Sequence, residues 1–192
     1  TAAHIVNRAA KNVLGMHINQ AGAKKTLKKA HLDITHYQAV SESELKEIEK
    51  EANAIIKKNV KINKKFYPRR EAEDKFGMEI YQGGAVPGKM VRIIEIPEID
   101  IEACGGTHLN STGETELIKM EKSSKIQDGI VRLTFTAGTA AKQSVGSLDN
   151  VLGDVSKLLN VEKKQIPARV EEIFKLSKKL KKNPFQNAAG SG

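Results

Sequence analysis

The chain has no tryptophan, a single cysteine and only 4% aromatic residues, and each scarcity removes a class of protein. One cysteine, Cys104, excludes an intramolecular disulfide framework. A lone thiol suits a reducing compartment, where cysteine is kept for metal binding or chemistry, so a cytoplasmic protein is expected. The shortage of rings argues against a stacking platform for single-stranded nucleic acid. No apolar run approaches the roughly 20 residues that cross a bilayer, so no membrane partner is expected. Nothing at the start has the pattern of a signal peptide. The first residue is Thr1 rather than methionine, which reads as a piece excised from a longer protein.

Acidic residues are outnumbered as well: 32 Lys and Arg against 23 Asp and Glu leave a formal charge of +9. Such an excess steers polyanions, nucleic acid among them, towards the surface. The plainer reading is a lysine-rich, solvated exterior.

Hydrophobic periodicity supplies the elements. Ile5, Val6, Ala9, Ala10, Val13 and Leu14 recur at helical spacing and Gly15 stops them. Leu32 to His36 alternates as a strand does. Ser41 and Glu44 form a capping box ahead of Leu45, Ile48, Ala52 and Ile55. Val60, Ile62 and Phe66 then predict a half-buried strand, and Pro68-Arg69-Arg70 opens a short helix to about Phe76. After a glycine-rich loop from Gln82 to Gly88, Met90 to Ile96 is strongly β-prone and Pro97 ends it. Leu117 to Met120 and Ile130 to Thr136 read as two more strands. Asp128-Gly129 lies between them, in a connection that Ser123 to Gln127 makes longer than a tight hairpin.

From Gly138 onward the pattern is helical only. Ala141, Val145, Leu148, Leu152, Val155 and Leu159 make a narrow heptad seam. A second helix has Pro167 in its first turn and Val170, Ile173 and Leu180 on one stripe. The expected fold is α+β, a mostly antiparallel sheet with packed helices and a C-terminal helical hairpin. The expected division is a core at 1–138, the hairpin at 139–183, and a disordered tail at 184–192. The hairpin would pack on the core or lead to a further domain. Burial of the seam against the chain's own sheet is preferred to a dimerisation device.

Chemistry concentrates at Cys104-Gly105-Gly106-Thr107-His108. A thiolate and an imidazole four positions apart, with glycines between them, can fold round one cation. Zinc needs more ligands, and His4, in the first turn of a helix, is rigidly placed to be one. A partner at i−4 would share its face, but that position precedes Thr1. His17, His31 and His36 lie in or beside strands and are left out. No Ser-His-Asp arrangement, Walker loop or paired-carboxylate signature stands out, and the Gly83-Gly84 loop lacks the helix of a phosphate cradle.

The run Glu102 to His108, followed by Ser111-Thr112-Gly113-Glu114, resembles the signature of the alanyl-tRNA synthetase editing domain, shared by free-standing editing proteins. Thr1 to Val6 resembles the end of that family's His-x-x-x-His motif. His17 to Ala23, Leu32 to Tyr37, Tyr81 to Gly88 and Ile126 to Gly129 are similar to the archaeal version. The threonyl-tRNA synthetase editing domain shares the two-motif layout, but Gly105-Gly106-Thr107 is the alanyl form.

The resemblance implies a zinc site of His4, Cys104 and His108, with a histidine before Thr1 as fourth ligand. It implies Cys104 and Gln20 at the catalytic centre, Gln20 orienting water or binding substrate. Arg69, Arg70 and Lys89 would meet phosphates of the acceptor end of alanine tRNA. The implied reaction is hydrolysis of mischarged Ser-tRNA(Ala) and Gly-tRNA(Ala), with the remainder of a parent synthetase as a further partner. Two departures bear on substrate choice: Ala3 stands where threonine is frequent, and Ala23 where serine is. The alternatives are a free-standing editing hydrolase and a non-catalytic, zinc-dependent tRNA-binding module.

Overall fold

The computed structural model describes residues 1–82, 84 and 86–182. The expected tail at 184–192 lies outside the described residues. Thr1 to Ser144 form one compact unit and Val145 onward a second.

The first unit begins with α1 (Ala2–Leu14), which Gly15 ends at a left-handed φ of 114°. β1 (Gln20–Lys25) and β2 (Ala30–Thr35) form a hairpin. α2 (Glu42–Lys57) follows, with both halves of the Ser41–Glu44 capping box made. β3 (Asn63–Pro68), α3 (Arg69–Phe76), β4 (Met90–Ile96) and β5 (Asp100–Ala103) come next. β6 (Ile118–Gln127) and β7 (Ile130–Ala137) complete the strands, and α4 (Thr139–Leu159) starts after Gly138. The fold is α+β, as expected.

Two antiparallel sheets result, ordered β1-β2-β7-β6 and β3-β4-β5. The main core joins Ile5, Val6 and Ala9 of α1 and Ile48, Ala52 and Ile55 of α2 to Leu32, Ile34, Leu133 and Phe135 on the larger sheet. Ile94 and Ile96 of β4 enter the same core, which ties the smaller sheet to α1 and so brings β5 beneath it. A satellite cluster of Tyr67, Ala72, Ile80, Val91 and Ile93 lies on the other face of β4, as the two-residue period of a strand requires.

Three strand expectations change. β5 had no forecast: Asp-Ile-Glu-Ala is only four residues long, and its pairing with β4 from Ile93↔Ala103 to Ile96↔Asp100 makes it a strand. β6 runs on to Gln127, leaving Asp128-Gly129 as a two-residue turn with Gly129 at φ 73°. The residues thought too many for a tight hairpin are absorbed by register shifts at Met120/Lys122 and Lys125/Gln127. In β3, Phe66 is 63% exposed while Tyr67 is buried, because Tyr67 is the residue that joins the satellite cluster with Ala72 and Val91.

The second unit holds the rest of α4 and α5 (Ile166–Lys182), with residues 160–165 between the two helices. Ile166 is buried. Val145, Leu148 and Leu152 of the seam, and Val170, Ile173, Phe174 and Leu180 of α5, are exposed. Of the six seam positions Ala141 alone is buried, and Val155 and Leu159 are half-buried. Among the described residues no helix is long and apolar enough to cross a membrane.

Candidate metal centre

Three elements converge at the N-terminal end of α1. His4 is one turn into the helix and is buried. Cys104 directly follows β5, and His108 lies four residues on, in the loop before β6. One donor atom from each lies within 4.8 Å of the others. Cys104 Sγ is 3.4 Å from His108 Nε2, and the imidazole rings of His4 and His108 meet edge-on with centroids 4.7 Å apart.

The loop is held by its backbone. Arg92 Nη1 donates to the carbonyls of Cys104 and Gly106, and the Cys104 amide donates to the carbonyl of Arg92 at 3.0 Å. Lys64 Nζ donates to the carbonyl of His108 at 3.1 Å and to Asn110 Oδ1 at 2.9 Å. A Cβ built on Gly106 would stand 3.6 Å from Cys104 Sγ and 3.9 Å from His108 Nε2. Glycine there keeps the space between the two donors open.

Behind the donors lies a buried acid pair that sequence reading gave no role. His4 Nδ1 is 2.9 Å from Asp100 Oδ2, and His4 Nε2 is 3.2 Å from Glu102 Oε2. Burial raises the carboxyl of Asp100 to about 7, and burial followed by the charge of Asp100 raises Glu102 to about 7. Asn7, fully buried, donates through Nδ2 to Glu102 Oε1 at 3.3 Å and to Gln82 Oε1 at 3.5 Å. Gln82 Oε1 also accepts the backbone N–H of Gln20 at 3.1 Å. Gln20 thus joins the network through its main chain, while its carboxamide has no partner among the described residues.

Signals for these residues were present. Asp100 and Glu102 sit two apart on β5, on one face, and lead directly to Cys104. His4 and Asn7 are i and i+3 on α1. What the spacing lacked was β5 itself.

The donor set fits zinc. Bond lengths of about 2.3 Å to sulfur and 2.0–2.1 Å to nitrogen put tetrahedral S and N ligands roughly 3.5 Å apart, close to the observed 3.4 Å. Burial, ahead of neighbouring positive charge, lowers His108 to about 3, and the hydrogen bond from His4 draws the Cys104 thiol below its usual value. Neutral imidazole and thiolate are the ligating forms. Asp100 is placed as the carboxylate that orients a ligating histidine through its other ring nitrogen.

The three cations expected at phosphates are separated from this cluster by their own tasks. Arg69 donates to Tyr81 Oη and to the carbonyls of Val86 and Gly88, clamping the 82–88 loop. Arg70 is exposed, with Asp74 3.9 Å away. Lys89 is exposed, and its carbonyl accepts the Arg69 amide.

Residues 91–134 match the family described as "Threonyl and Alanyl tRNA synthetase second additional domain", a stretch that includes the whole Cys104–His108 loop. The chain is 43% identical over 95% of its length to the alanine–tRNA ligase of Methanococcus maripaludis, and 42% over 95% to that of Methanopyrus kandleri. It is 42% identical over 91% to that of Methanobrevibacter smithii. The chain is a homologue of one segment of archaeal alanine–tRNA ligases. It spans about a fifth of the length of these curated relatives, 19–20% in each. The family match takes in Asp100 and Glu102 as well as Cys104 and His108, whereas His4 and Asn7, on α1, lie before it.

Proposed function

We propose that this segment is a zinc-dependent editing hydrolase that frees serine or glycine from mischarged alanine tRNA. The convergence of His4, Cys104 and His108 on one point, backed by a buried carboxylate pair, is the observation that carries the reading. The bond to be broken is the ester between the amino acid and the terminal ribose. Water supplies hydroxyl to the carbonyl carbon, and the ribose oxygen leaves with a proton. Bound zinc would supply Lewis-acid polarisation or positioning of the ester at this point.

The chain's own groups do the rest. Cys104 and His108 present sulfur and Nε2 across the space that Gly106 leaves open. Asp100 holds the His4 ring by its Nδ1 edge. Gln20 offers a free carboxamide to orient water or the substrate amine. Arg70 and Lys89 are exposed cations available to phosphates, whereas Arg69 acts through the loop it clamps. In this reading the protein works in the cytoplasm, as part of a synthetase, on the acceptor end of tRNA(Ala).

The test is serine release from Ser-tRNA(Ala), with zinc content measured on the same samples. The wild-type chain should turn over substrate and hold one zinc, and Cys104→Ala should lose both. RNA binding without serine release, in a chain that holds its zinc, would replace the hydrolase with a non-catalytic tRNA-binding module.

A further inference from the structure

The β1–β2 hairpin carries a feature that the metal centre does not use. Its tip reads Lys24-Lys25-Thr26-Leu27-Lys28-Lys29. The turn is ordered by Thr26, whose N–H and Oγ1 both donate to the carbonyl of Lys29, at 2.9 and 2.7 Å, and whose Oγ1 accepts the Lys29 N–H at 3.1 Å. Behind it the ladder pairs Lys25↔Ala30 and Lys24↔His31. This is a built loop, and it presents four cations with no acidic partner among the described residues. Leu27 is 101% exposed at its apex. A leucine so placed contributes no packing to the fold, and four like charges within six residues repel one another. The charge repulsion costs stability, and an anionic group from outside the chain would relieve it.

The hairpin also stands beside the candidate centre. Lys25, Leu27 and Lys29 share the walls of a cleft of ≈ 210 Å³ with Ala3, the residue next to His4, and with Phe135. A ligand whose ester reached His4 and His108 would bring its adjoining phosphates to these lysines.

We propose that the 24–29 hairpin is an RNA grip: Lys24, Lys25, Lys28 and Lys29 hold phosphates of the acceptor end, and Leu27 packs against an exposed base face there. This rests on the tRNA-editing reading of the neighbouring site. Lysine suits the task because a mobile point charge tracks a backbone without demanding bidentate geometry, and an apolar side chain against a base is a recurrent device at nucleic-acid surfaces. A lysine-rich loop with an apolar tip also fits an anionic bilayer. A single leucine buries too little surface to anchor a protein there, and the cleft shared with Ala3 favours RNA.

The experiment titrates a 5′-labelled alanine acceptor-stem minihelix by fluorescence anisotropy from 50 to 200 mM KCl. The proteins are the full chain, K24Q/K25Q/K28Q/K29Q, Leu27→Ala, and a control, K175Q/K178Q/K179Q/K181Q, with circular dichroism confirming folding of each. Each phosphate left without its lysine should lower the slope of log K against log salt by roughly 0.7–0.9, so the hairpin variant should drop by about 3 and bind at least about 10-fold more weakly at 150 mM. Leu27→Ala should weaken binding several-fold with the slope unchanged. Serine release should show a raised KM and an unchanged kcat in both hairpin variants.

Equal slopes for wild type and the hairpin variant, or an equal loss in the control, would overturn the grip; serine release by wild type would then still stand. A hairpin-dependent slope with no serine release from any protein would keep the grip and discard the hydrolase. Hairpin-dependent binding to 4:1 phosphatidylcholine–phosphatidylglycerol vesicles, with RNA binding indifferent to the hairpin, would overturn it in favour of a membrane surface.

Discussion

Two pairs of histidines lie at opposite ends of α1, and they differ in everything except closeness. At the start of the helix, His4 and His108 share their space with Cys104 and are backed by Asp100 and Glu102. Beyond its end, His17 Nε2 lies 2.8 Å from His36 Nδ1, the rings stacked with centroids 5.1 Å apart and Tyr37 against both. The second pair is joined by a direct hydrogen bond, yet among the described residues no thiol or carboxylate bonds to it, and the buried Nε2 of His36 has no partner there. Proximity of imidazoles does not make a metal site. What sets the first cluster apart is the soft donor Cys104 and the acids that lie against the His4 ring, the features that a zinc site uses.

The strongest way to break this contrast is to remove the sulfur. Cobalt(II) substitution should give thiolate-to-metal absorption in the wild type and none in Cys104→Ala, with serine release falling by at least about 10²-fold if the metal stabilises the developing charge. His17→Ala should leave the cobalt spectrum intact; its loss there would move the metal to the other end of the helix.

A smaller effect is expected behind the ligands. Asp100→Asn keeps the shape but removes the acceptor charge at His4 Nδ1, and zinc affinity measured by competition with a chelator should fall about 10–100-fold. An unchanged affinity would deny Asp100 its orienting part and leave it a merely buried acid.

The slightest effect belongs to the second pair and appears only with pH. Burial, with the neighbouring His17 next, lowers His36 below the ordinary histidine value, while Glu44 opposes them weakly. A histidine whose folded pKa is depressed takes up its proton in the unfolded chain first. Stability should therefore be fully present above about 6.5 and decline as pH falls from there towards the folded value. Thermal melts from pH 7.5 to 5.5 should slope down more steeply in the wild type than in His36→Gln; parallel slopes would assign the pH dependence elsewhere.

How much of this was legible depends on range. The capping box at Ser41 and Glu44, the strand from Met90 to Ile96 and the helix ended by Gly15 are written in neighbouring residues, and each forms where the local pattern puts it. The Cys104–His108 pair was legible for the same reason, since its spacing is itself local. Asp100 and Glu102 were passed over because their strand buries its acidic face and exposes Ile101, the reverse of the usual alternation, and only pairing with β4 defines it. Arg69 looked like a free cation for phosphate, but it lies on α3 and clamps carbonyls 17 and 19 residues downstream.

The sequence by itself determined the alternation of elements and the excess of positive charge, and it named the three candidate donors. Only tertiary structure decided that His4 meets Cys104 across about a hundred residues, that Asn7 reaches Glu102 and Gln82, and that Lys25 shares a cleft with Ala3. The reason is physical: periodicity records which face of an element is buried, whereas a site is made where faces of different elements meet. That meeting is set by packing α1 against both sheets, which no single stretch of the chain encodes.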